Sequence, residues 1–150
     1  MDNTEEYVSV EVARLLKVKG FDWPCEFYYE WYKSGVSMFE GFINNWSEHK
    51  TNHNKGNSLN KFSRPTVAYA MQWFRDVHNL FVHVDYTTHP INKDKNYYGT
   101  VVNMKDPRET VLEFEDALTY EGCANRLLKD ALENLDKYKE TKNIYPLNLE

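Results

Sequence analysis

The chain has 150 residues, 41% of them hydrophobic and 27% charged, and a formal net charge of −5. That is one domain's length, enough to bury about 70% of the surface the unfolded chain exposes without a disulfide or metal staple. The composition is that of a globular chain rather than a disordered one. No apolar run approaches the ~20 residues a membrane span needs. The acidic balance counts against a protein dedicated to holding nucleic-acid backbone.

The opening MDNTEEYV is acidic, and the apolar segment after it is interrupted by charge, so no signal peptide is expected. Cys25 and Cys123 are then expected as reduced thiols of a cytoplasmic protein.

Ser9 is the expected N-cap of a first helix, with Val12, Ala13, Leu15 and Leu16 on one side. Gly20 suits the left-handed position after its end, and Phe21 can fold back on Leu16. Asp22-Trp23-Pro24 stops any continuation. Cys25–Lys33, rich in aromatics, predicts a strand with Phe27, Tyr29 and Trp31 on one face. Residues 37–46 leave two readings open. Phe39, Phe42, Ile43 and Trp46 fit helical spacing, but Gly35 and Gly41 punctuate the stretch. The polar residues 47–62 predict a flexible loop.

A second helix is expected to open at Pro65, whose missing amide proton costs nothing in a first turn, and to end at Asn79. The alternation in Leu80–Thr87 predicts a strand with Leu80, Val82, Val84 and Tyr86 inward and Phe81, His83 and Asp85 outward. Strands at 97–104 and 110–115 follow short turns, which makes an antiparallel meander. Thr119 is the expected cap of a last helix with an apolar stripe from Ala124 to Leu135, and residues 139–150 are expected as an extended tail. The expected class is a single α+β domain over 1–150. It has a small antiparallel sheet of three or four strands, two main helices packed on it and an additional N-terminal helix.

The run from Arg64-Pro65-Thr66 to Trp73-Phe74-Arg75-Asp76-Val77-His78-Asn79, a strand directly after it, and Thr119-Tyr120-Glu121 before a C-terminal helix carry a resemblance. So do the opening VSVEVARLLKVKGFD and Trp23-Pro24-Cys25. In these residues the chain resembles a family of small uncharacterised proteins encoded by phages and mobile elements of gut anaerobes. The resemblance implies a fold and a phage-like context, and no mechanism.

Candidate residues fall into three groups. Nine of the 23 aromatics lie between Trp23 and Trp46. Tyr and Trp anchor interfaces, so Trp31, Phe39, Phe42 and Trp46 are candidates for binding a protein partner or a second copy of the chain. Lys50, Lys55, Lys61 and Arg64, against Glu48 alone, form a basic stretch suited to nucleic acid, although the net charge disfavours that partner. His83, Asp85 and His89, with His78 nearby, are a third set, for a metal-dependent enzyme. Their spacing matches no zinc signature, and polar side chains on an outer strand face are ordinary.

Arg75 and Asp76 are expected on the polar face of the second helix, and His49 and His53 in the polar loop without a helical pattern. The first helix could begin a helix-turn-helix, but an aromatic strand follows where the second helix should be. No cofactor is implied. The expectation is a non-enzymatic phage or mobile-element accessory protein of the cytoplasm.

Overall fold

The computed structural model describes residues 6–33, 40–56, 59–90, 96–105, 110–117 and 119–137. Phe39 and the expected tail at 139–150 lie outside them. The element order is α1 (Val10–Val18), β1 (Cys25–Lys33), β2 (Glu40–Thr51), β3 (Lys61–Ser63), α2 (Val67–His78), β4 (Leu80–Tyr86), β5 (Tyr97–Asn103), β6 (Thr110–Ala117) and α3 (Tyr120–Glu133). This is an α+β chain. Residues 1–70 and 71–150 form two compact units, and the division falls within α2.

The first unit is built on an antiparallel sheet of order β2-β1-β3. Ser9 caps α1 as expected, its Oγ accepting from the Val12 amide at 3.2 Å. Gly20, at φ 95°, ends it, and the Phe21 amide donates to the Leu16 carbonyl at 2.9 Å. That is a Schellman ending, which satisfies carbonyls the helix leaves open. Residues 37–46, left open between helix and strand, belong to β2 from Glu40 onward. Phe42 and Trp46 are four residues apart, a spacing that shares a face in either structure, so periodicity alone could not choose.

Of residues 47–62, expected as loop, 47–51 belong to β2 and 61–62 to β3. β1 pairs with β2 as far as Trp46 and again at Thr51, and pairing outweighs the poor strand propensity of Asn44 and Asn45. Beyond it the chain is stitched down by its own polar side chains. Asn54 Nδ2 donates to the Phe21 carbonyl and its Oδ1 accepts from the Ser63 amide, both at 2.9 Å. Lys61 then opens β3.

The second helix begins at Val67, two residues later than expected. Thr66 Oγ1, accepting from the Tyr69 amide at 3.1 Å, is the cap. Pro65 is drawn instead into pairing with the N-terminal segment, its carbonyl accepting from the Val8 amide at 3.1 Å.

The second unit contains the expected meander, order β4-β5-β6. Leu80 and Val82 are buried and Phe81 is exposed, as the alternation requires, but Tyr86, expected inward, is 58% exposed at the strand's end. α3, capped by Thr119 Oγ1 on the Gly122 amide at 3.0 Å, lies along all three strands. It buries Cys123, Ala124, Leu127, Leu128, Ala131 and Leu132. A Cβ on Gly99 would come within 2.8 Å of Leu127 Cδ2, so the missing side chain lets helix and sheet approach.

Candidate functional site

The register of the first unit sorts its aromatics. Phe27, Tyr29 and Trp31 of β1 stand opposite Trp46, Asn44 and Phe42 of β2, and Tyr29 stands opposite Phe62 of β3. Directly paired residues share a face. α1 and the segment before it engage this face. Tyr7 meets the Phe27 ring edge-on at 5.2 Å, the Tyr29 hydroxyl donates to the Val8 carbonyl at 2.9 Å, and Arg14 sits 5.1 Å from the Phe42 centroid.

The three described aromatic candidates therefore separate. Phe42 is half-buried between Trp31, at 5.1 Å, and Phe62, at 5.5 Å. Trp31 is 36% exposed and Trp46 62% exposed. Trp46 stands on β2, at the edge of the sheet, where no described strand pairs with its outer side.

The four basic candidates do not form one patch. Lys61 covers Tyr28 on the opposite sheet face, 4.5 Å from its centroid, and Lys55 is exposed in the turn. Arg64 is seated on aromatic rings, its guanidinium carbon 4.2 Å from the Tyr7 centroid, 5.2 Å from that of Tyr29 and 5.9 Å from that of Phe27. One of its terminal nitrogens reaches Asn44 Oδ1 at 3.3 Å.

Lys50 and Arg64 do come together. Both line a cleft of about 190 Å³ in the first unit, with Tyr7, Glu26, Phe27 and Tyr69 among its walls. An irregularity in the sheet positions Lys50. Cys25 pairs with Thr51 but Phe27 pairs with Trp46, so β2 spends five steps where β1 spends two. The extra residues, ending at Lys50, bulge from the ladder beside Glu26. Cys25 also borders the cleft, but burial pushes its thiol up to about 12, against lesser opposing effects of Ser63 and Lys50. It stays protonated and is no nucleophile. Burial raises the Tyr69 phenol as well.

His53, expected in the polar loop, lies in a turn and is 6% exposed. Its Nε2 donates to the Cys25 carbonyl at 2.9 Å, and its ring stacks on Tyr28 at 4.4 Å. Burial, with Lys61 adding to it, holds its pKa below the ordinary 6.5 against the opposing hydrogen bond. Nothing in the local pattern signals this, because its partners come from β1.

In the second unit His83 Nε2 and Asp85 Oδ2 lie 3.2 Å apart, with the side chains 42% and 50% exposed. His89 is taken up in the turn, its Nδ1 3.0 Å from Thr88 Oγ1. Among the described residues no group of three or more His, Cys, Asp or Glu side chains is placed to hold a metal ion. Among them, too, no helix is long and apolar enough to cross a membrane.

No protein-family model, curated protein or solved structure matches this chain.

Proposed function

We propose that this protein is a non-enzymatic interaction module that binds an extended segment of a protein partner along β2. Trp46, 62% exposed on an edge strand of twelve residues, carries the reading. An edge strand offers a row of amides and carbonyls to a further strand, and an exposed Trp beside it supplies an anchor. Trp31, 36% exposed, stands on the same sheet face as Trp46 and extends the apolar surface along it. The sequence resemblance supports an accessory role for a phage or mobile element. Two buried free cysteines fit a reducing cytoplasm, where thiols stay unpaired.

The test is a photo-crosslinking amino acid at position 46, with position 18 as control, because Val18 is 75% exposed and stands on α1 rather than on β2. In the producing cells, position 46 is expected to give discrete protein adducts that position 18 lacks. An adduct with a second copy of the chain identifies the partner as self. Equal labelling at both positions, or adducts to nucleic acid alone, overturns the proposal.

A further inference from the structure

The cleft of the first unit is a second site, independent of the β2 edge. It brings two cations and one acid, Lys50, Arg64 and Glu26, against the rings of Tyr7, Phe27 and Tyr69. The Arg64 Nε is buried and has no hydrogen-bond partner among the described residues. The guanidinium is also oriented before any ligand arrives, held by the three rings and by Asn44.

The geometry points to a binding site for a small aromatic carboxylate. The formal charge of the three ionisable groups is +1 − 1 + 1, or +1, which matches a monoanion, and a phosphate dianion would face Glu26 as well as the two cations. Arg64 and Lys50 both line the cleft and supply it with positive charge for a carboxylate, Lys50 from the bulge of β2. The space, about 190 Å³, is enough for one ring and its acid group. The protonated Cys25 thiol and Tyr69 phenol bring no negative charge into it. Binding, with no covalent step, is the chemistry this arrangement supports.

Benzoate, benzamide and inorganic phosphate are the probes, titrated into the ¹⁵N-labelled protein while amide resonances are followed. Benzoate is expected to shift the Lys50, Arg64 and Thr66 amides saturably, and benzamide, the neutral isostere, is expected to leave them unmoved. Lys50 and Glu26 are both exposed, so Lys50→Ala and Glu26→Gln leave the fold intact. Lys50→Ala weakens benzoate roughly tenfold, the size of one charge-assisted hydrogen bond. Glu26→Gln tightens it, a change of opposite sign that a merely structural effect would not produce. Benzoate and benzamide binding alike, phosphate binding more tightly than benzoate, or no saturable shift at these amides overturns the site.

Discussion

The guanidinium carbon of Arg64 lies 4.2 Å from the centroid of the Tyr7 ring. With Tyr29 and Phe27 also beneath it, one cation joins the N-terminal segment to β1 at the entry to α2. A residue that stands in a basic stretch of the sequence is thus a clamp within the first unit.

Arg64→Lys tests the clamp. An ammonium cannot stack as a planar guanidinium does, and a partly desolvated cation–π contact contributes up to about 2 kcal/mol. A loss of roughly 1–2 kcal/mol is expected in urea unfolding. A variant as stable as the parent would refute the clamp.

His53 makes stability depend on pH. Its folded pKa lies below the unfolded 6.5, so the neutral form belongs to the folded state. Its contribution is fully present above 6.5 and declines as pH falls from there toward the folded pKa. Thermal melts of the parent should therefore lose stability below 6.5 more steeply than those of His53→Gln. Parallel pH profiles would show that His53 is not the group responsible.

The thiols should be inert in the folded protein. Cys25 is raised to about 12 and Cys123 to about 11, both by burial first, and both are buried free cysteines. Ellman's reagent at neutral pH is expected to find no rapidly reacting thiol until denaturant is added, and then two. A fast native reaction at Cys25 would contradict its burial.

Gly99→Ala probes the packing of α3 on the meander. The added methyl meets the buried Leu127 at 2.8 Å, and overpacking of this kind costs about 1–3 kcal/mol. Leu127→Ala should cost less stability in the Gly99→Ala background than in the parent, because there it also removes the clash. If the two costs are equal, the close approach is not the cause.

The helix boundaries that sequence reasoning found are those marked by local chemistry. Ser9, Gly20 and Thr119 act through bonds to residues one to four positions away. Asn79, at φ 57°, ends α2 by adopting the left-handed conformation Asn tolerates. The start of α2 was misplaced because Pro65 answers to the Val8 amide, far away in sequence. β2 was ambiguous because the spacing of Phe42 and Trp46 fits both structures, and its polar Asn44 and Asn45 are strand by virtue of pairing with β1. The sheet face with Phe27, Tyr29 and Trp31 was legible from alternation, but not which members the N-terminal segment and α1 would engage.

From its sequence alone this chain is committed to an α+β class, to the caps of α1 and α3 and to the alternation at the start of β4, because each is settled by neighbours within a turn or two of backbone. Tertiary structure decided that β1 pairs with β2 and β3 in a sheet of its own. It also decided that His53 is buried, that Trp46 is exposed, and that Lys50 and Arg64 share one cleft. These outcomes depend on register and on a bulge between strands. Both arise only when distant segments meet and exchange the backbone hydrogen bonds that neither can satisfy alone.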